Sequence, residues 1–267
     1  MIANVLRVVH LALKLVMRPF GLAPVRKDHI RRLQAESELL HKLSVIEKTD
    51  DESISLVRAT EVAKTSPSQN GQDLFALAAN KMKQGGFFVE FGATDGVTSS
   101  NTYLLETMFS WTGILAEPSK YYHDALRKNR QASISENCVW TTSGENLPFM
   151  EATIPELSSL QGFEGVDMNR RSQKPSRRYE VESISLLDLL RRFNAPRTID
   201  FLSVDTEGSE FEILNSFDFS QYVFNAICVE HNYGSSRGLI ANLLGLHGYV
   251  RVLESSSKWD DWFVRKP

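Results

Sequence analysis

The sequence predicts an α/β fold: an open, mostly parallel sheet flanked by helices, with a ligand crevice at its carboxyl edge and a helical extension in front. Three observations predict it. Phe87-Phe88-Val89-Glu90-Phe91 is short, apolar and rich in strand formers, as a central strand covered on both faces must be. It runs straight into a turn with glycines at 92 and 96, and Ser99, Ser100 or Asn101 can cap the helix that follows. Trp111 to Glu117 and Ile199 to Asp205 repeat the pattern of an apolar strand ending in an acid.

The glycine turn carries the first chemistry. A dinucleotide fingerprint reads G-x-G-x-x-G, whereas the order here is E-x-G-x-x-D-G. Gly92, Ala93 and Gly96 allow backbone to approach a ligand closely, but the carboxylates of Glu90 and Asp95 would repel a diphosphate. Acids suit an ammonium group and ribose hydroxyls, the description of S-adenosylmethionine. Glu117 lies about twenty residues past the turn, where doubly wound folds place a ribose-hydroxyl acceptor, and Pro118 ends the strand behind it. The competing readings are a nicotinamide site, an ordinary strand and turn without ligand, and an exposed loop glutamate at 117.

The remaining elements follow in order. Residues 1–20 place Ile2, Val5, Leu6, Val9, Leu13, Val16, Met17 and Phe20 on one helical stripe and Arg7, His10, Lys14 and Arg18 on the other. With no acid before Asp28, this basic amphipathic helix suits a membrane surface; docking on the protein's own surface and an organellar transit peptide are the alternatives. Charge interrupts it too often to span a bilayer. Lys27 to Lys48 reads as a second helix and Thr49 to Ser68 as a polar linker, giving an extension over 1–67 and a catalytic domain over 68–267. Gln69-Asn-Gly-Gln-Asp73 precedes the helical run Leu74 to Met82 and either caps it or reaches the ligand. A helix at Tyr121 to Arg130 and a third strand within Ser133 to Trp140 come next. Residues 141–183 are broken by glycines and prolines and end in Arg170, Arg171, Lys174, Arg177 and Arg178, so they read as a substrate-covering insertion facing an anion, or as a solvated loop. Ser185 caps the helix Leu186 to Phe193. After the fourth strand and Asp205 comes a helix to about Phe217, and Ala226 to Val229 forms a fifth strand. Arg237 to Leu246 is a helix, and two closing strands end the chain.

Net charge of -3 argues against nucleic-acid partners. The two cysteines, Cys138 and Cys228, fit core thiols in a reducing compartment, so a cytoplasmic protein, peripheral on a membrane if its first helix binds one, is expected.

Several blocks in one order resemble the FkbM family of S-adenosylmethionine-dependent methyltransferases. They are Ser68 to Asp73, Glu90 to Asn101, Ser100 to Glu106, Gly113 to Pro118, Asn129-Arg130, Ile199 to Glu210 and Val229 to Asn232. The resemblance implies a class I, Rossmann-like methyltransferase fold with a seven-stranded, mostly parallel sheet, and usually O-methylation of sugars or other metabolites. It implies cofactor contacts from Glu90, Gly92, Ala93, Asp95, Gly96, Asn101, Glu117 and Asp205, with Asn137 and Cys138 flanking the adenine at the end of the third strand.

The acceptor hydroxyl must lose its proton. His231, just past the fifth strand, has the intrinsic pKa to take it, with Asp205 and Glu207 as alternatives or orienting groups. Alternatively, Asp205, Glu230 and Asn232 resemble the magnesium site of catechol-type O-methyltransferases, where Mg2+ lowers the hydroxyl pKa. A histidine bonded within the sheet edge is the third possibility. The expected activity is O-methylation of a small-molecule or glycan acceptor; a non-catalytic S-adenosylmethionine-binding scaffold and a nucleotide-sugar oxidoreductase are the competing classes.

Overall fold

The computed structural model describes residues 27–47, 56–163 and 175–266. The amphipathic segment 1–20 and the cations Arg170, Arg171 and Lys174 lie outside them. The chain divides between Leu40 and His41. On the first side the described residues are helical, the beginning of α1 (Lys27–Glu47).

On the other side α1 is followed by α2 (Leu56–Thr65) and α3 (Gln72–Ala79), then β1 (Phe87–Phe91), α4 (Tyr103–Phe109), β2 (Thr112–Ala116), α5 (His123–Asn129) and β3 (Ser133–Ser135). The insertion supplies β4 (Cys138–Trp140), β5 (Asn146–Ala152), β6 (Ser159–Leu160) and β7 (Pro175–Ser185). Then come α6 (Leu186–Arg192), β8 (Thr198–Val204), α7 (Glu210–Ser216), β9 (Val223–Glu230), α8 (Arg237–Leu246), β10 (Tyr249–Val252) and β11 (Asp260–Arg265). No helix among the described residues is long and apolar enough to cross a membrane.

A seven-stranded mixed sheet runs in the order β10-β11-β9-β8-β1-β2-β3. The five strands from β9 to β3 pair in parallel, and β11 and β10 join antiparallel. Val89, Ile114, Leu202 and Ile227 are fully buried, because helices cover both faces of these strands and leave no polar side for alternation to mark. Trp262 is also fully buried and stacks on Phe75 of α3 at 5.0 Å, so it packs rather than offering a sugar platform.

Register does the positioning. Phe91 lies beside Ala116, and Val204 beside Val229, so Gly92, Glu117, Asp205 and Glu230 leave the sheet along one edge. The crevice of an open α/β sheet lies there.

Three expectations are corrected. The polar stretch Thr49 to Ser68 is not all linker, since α2 buries Val62 and Ala63. The third strand stops at Ser135, and Cys138 to Trp140 is a separate strand that pairs with β7. The insertion is not a loop. β4, β7, β5 and β6 form a second sheet around Cys138, Phe149, Leu160 and Val181. Arg177 and Arg178 stand exposed on β7.

Candidate active site

The glycine turn is shaped by a close approach. Gly92 has a φ of 71°, and a Cβ built there would stand 2.1 Å from the carbonyl oxygen of Asp205. Only glycine lets the ends of β1 and β8 meet in this way.

Behind the turn, Glu90 is buried and accepts hydrogen bonds from the Asn101 amide at 2.7 Å, from the Ser100 hydroxyl and from the Thr102 hydroxyl. Arg130 Nη1 lies 3.8 Å from its carboxylate. Burial raises the Glu90 pKa against Arg130 and these bonds, which favour the ionised form. Ser100 Oγ in turn accepts from the amides of Thr102 and Tyr103 and so caps α4.

Asp95, expected beside a ligand ammonium, shapes the turn itself. It accepts from the amides of Val97 and Thr98 and from the Thr98 hydroxyl at 2.7–2.9 Å, closing its own turn. Partial burial works to raise its pKa, but these bonds together bring it below the usual value.

Glu117 is buried at the end of β2, where its two oxygens accept from the amides of Thr94 (2.8 Å) and Ser119 (2.7 Å). Burial outweighs those bonds, and with repulsion from Asp205 and Glu90 it pushes the carboxyl up to about 7. An ionised carboxylate offers about four lone-pair directions, so Glu117 keeps acceptor capacity for ligand hydroxyls. Asn101 donates from Nδ2 to Ser203 Oγ at 2.9 Å, while its buried Oδ1 has no partner.

Asn137 and Cys138 lie past the end of β3. Asn137 bonds Ser135, Glu182 and Arg192. The Cys138 thiol is pushed up to about 12, by burial first and then by Glu117, so it lies close enough to feel that carboxylate.

On the other side of the turn, Asp205, Glu207 and Glu230 bring one carboxylate oxygen each to within 4.8 Å of one another. Glu207 has a φ of 57°, so the turn that brings it into the cluster is strained, and just past Glu230 the residues Asn232 and Tyr233 have φ of 41° and 57°. The Glu230 pKa is raised well above the carboxylate range, by burial first and then by Asp205, Glu207, Glu210 and Asp260. Asp260, buried on β11, is held by the side-chain amides of Gln72 (2.5 Å) and Asn70 (3.4 Å). Burial and Asp205 raise it to about 7. The segment 70–72 is thereby tied to the acidic side. Asn232 is buried beside this cluster, and it is Glu207 that completes the carboxylate trio.

His231 corrects the expected general base. Its Nδ1 lies 2.9 Å from the Tyr233 amide, which can only donate, and its Nε2 lies 3.0 Å from the Asp260 carbonyl, which can only accept. The ring is therefore a neutral Nε2–H tautomer with both nitrogens occupied. Burial lowers its pKa, with Asp261 opposing. The histidine ties the end of β9 to β11.

Sequence reasoning gave no role to Asp260 or to Arg130. The Asn129-Arg130 pair was visible only as part of a resemblance, and Asp260 sits among closing-strand residues with no motif around it.

Fold and site together define an α/β protein whose sheet carries glycines and one acid on one side of its carboxyl edge and an acid cluster on the other. A family model described as the methyltransferase FkbM domain matches residues 90–262, and the chain belongs to that family. It is a methyltransferase-family protein, and the family implies S-adenosylmethionine as methyl donor. Two solved structures are similar. Methyltransferase FkbM from Methylobacillus flagellatus KT is 12% identical, with a TM-score of 0.45, over 93% of this chain and 65% of that one. Precorrin-6y C5,15-methyltransferase from Geobacter metallireducens GS-15 is 13% identical, with a TM-score of 0.40, over 75% of this chain and 89% of that one. No curated protein matches the sequence.

Proposed function

We propose that this protein is an S-adenosylmethionine-dependent O-methyltransferase acting on a hydroxyl of a sugar, glycoconjugate or related metabolite. The observation that carries this reading is the trio Asp205, Glu207 and Glu230, gathered within 4.8 Å across the Gly92 turn from Glu117. The seven-stranded mixed sheet, with its antiparallel β11, supports the same reading.

The residues fit the donor. Glu117 retains acceptor capacity for ribose hydroxyls, and Asn101 Oδ1 is a buried acceptor without a partner. When bound, the donor supplies an electrophilic methyl group. The chain's own residues then have to orient the acceptor oxygen and remove its proton. Glu230 suits the base, because it stands in the trio and its burial among acidic neighbours raises its pKa, which makes it a stronger proton acceptor than an ordinary carboxylate. Asp205 and Glu207 would hold the hydroxyl in line.

The cluster favours a second reading of the same step. Three carboxylate oxygens form a hard donor set suited to Mg2+, which would be held by Asp205, Glu207 and Glu230 with Asn232 nearby. It would lower the acceptor's pKa. Arg177 and Arg178 on β7 favour an acceptor with an anionic group.

Calorimetric titration with S-adenosylhomocysteine, followed by transfer of labelled methyl to neutral and phosphorylated sugars with Mg2+ or EDTA, tests the reading. Binding and transfer abolished in Asp205→Asn are expected. Absence of S-adenosylhomocysteine binding would overturn it, and binding without transfer to any hydroxyl would leave the scaffold class. Transfer unaffected by EDTA would assign proton removal to a side chain rather than to a metal-held hydroxyl.

A further inference from the structure

The last residue of α5 and the residue after it grip the glycine turn from below. Asn129 Nδ2 donates to the Asp95 carbonyl at 2.8 Å, and Arg130 Nη1 donates to the Gly96 carbonyl at 3.0 Å. These are consecutive carbonyls of the turn. Arg130 does more. Its Nη1 also donates to Ser100 Oγ at 3.2 Å, its Nη2 to Thr102 Oγ1 at 2.9 Å and its Nε to Glu106 Oε2 at 3.0 Å, while Nη2 forms an ion pair with Glu106 Oε2 at 2.9 Å. Four hydrogen bonds thus engage all three guanidinium nitrogens, in a plane that only arginine can supply.

The side chain is fully buried, with its guanidinium over the rings of Phe88 at 5.5 Å and Tyr103 at 5.8 Å. Its stem fixes the sequence of the turn as well. A Cβ on Gly96 would stand 2.6 Å from Arg130 Cγ and 2.7 Å from Leu126 Cδ1, at a φ of 79°. One cation therefore joins β1 through Glu90, the turn through Gly96, and the start of α4 through Ser100, Thr102 and Glu106.

We infer that Asn129 and Arg130 are positioning residues for donor binding: they hold the Asp95–Gly96 carbonyls and the α4 cap in the bound geometry before the donor arrives. Neither touches the ligand; each acts through the turn. The inference rests on the reading of Gly92 to Asn101 as the donor cradle. Pre-organisation spares the loop its ordering entropy on binding, so loosening the clamp appears as weaker affinity.

The test compares wild type, Asn129→Ala, Arg130→Lys and, as a control on the same helix, exposed Lys128→Ala. Each is titrated with S-adenosylhomocysteine and unfolded with urea. Asn129 makes one exposed bond, so Asn129→Ala should fold normally and bind about fivefold more weakly, the effect of roughly one net hydrogen bond. Arg130→Lys keeps the charge and loses the fork, and should weaken binding by about tenfold or more. Lys128→Ala should match wild type. Wild-type affinity in both Asn129→Ala and Arg130→Lys, whatever their urea midpoints, would show that the clamp serves folding alone and would overturn the inference. Failure of wild type itself to bind would instead sink the donor-cradle reading, so the two failures are distinguishable.

Discussion

Alanine at position 92 should destabilise the fold and abolish donor binding together. Two costs add. Alanine at a φ of 71° occupies the left-handed region at about 1–2 kcal/mol. Its Cβ at 2.1 Å from the Asp205 carbonyl oxygen must also drive the ends of β1 and β8 apart by more than an ångström. Those strands are tied by the pairing of Phe88 to Glu90 with Phe201 to Ser203, so the displacement is resisted and carries an overpacking cost of about 1–3 kcal/mol. The sum is about 2–5 kcal/mol, or a fall of roughly 5–15 °C in Tm for a domain of this size. Gly144 provides the comparison. Its φ is 81°, yet nothing lies within 4 Å of a Cβ built there, so Gly144→Ala isolates the backbone cost. Urea unfolding of both variants, with m unchanged, gives the contact cost by difference. If Gly92→Ala lost no more stability than Gly144→Ala and bound S-adenosylhomocysteine as wild type does, the close approach of β1 to β8 would not be what shapes this site.

Two further outcomes follow from the site's titrating groups. Glu117, at about 7 in the folded protein against 4.5 in the unfolded chain, binds its proton more tightly when folded. Its contribution to stability is complete below about pH 4.5 and lost as pH rises through about 7, so Glu117→Gln should gain up to about 3 kcal/mol at pH 8 and nothing at pH 4 while binding the donor more weakly. Urea midpoints at the two pH values check this, and an equal change at both would refute it. His231→Ala should lose about 1–3 kcal/mol by leaving the Tyr233 amide unpaired, yet retain turnover and the wild-type pH profile. A folded His231→Ala with intact donor binding and turnover down a thousandfold would restore the histidine as base.

The parallel strands were legible because burial on both faces writes an unbroken apolar run, and Phe87 to Phe91 and Ile199 to Val204 are such runs. The acids at their ends were legible for the same reason: Glu117 and Asp205 interrupt the run where the sheet stops. The second sheet was not, because β5 pairs antiparallel with a distant β7, and a pairing set by long-range register leaves no local periodicity across Gly144, Pro148 and Pro155. Nor was the work of the polar side chains. Asp95 and Asp205 look alike in sequence, yet one closes its own turn and the other gathers with Glu207 and Glu230. For His231, intrinsic pKa could not choose between a base and a histidine bonded within the sheet edge, because it says nothing about whether both ring nitrogens are already bonded. Arg130 was passed over because an arginine after a short helix looks like solvated charge until the fold buries it.

Asp205 is the electrostatic hub of this edge. It is the foremost charged neighbour raising Glu230, Asp260 and Glu117, which come from three different strands. Glu117 stands on the donor side of the glycine turn and Glu230 on the acceptor side, so the two halves of the site are coupled through one carboxylate. A positive charge beside Asp205, whether a sulfonium, an ammonium or a divalent cation, favours ionisation of all three at once. Under the proposed function, ionised Glu117 would accept ribose hydroxyls and ionised Glu230 would take the acceptor's proton. The acid cluster would then serve either reading of proton removal in the same way: a bound cation would favour the ionised state of both carboxylates together.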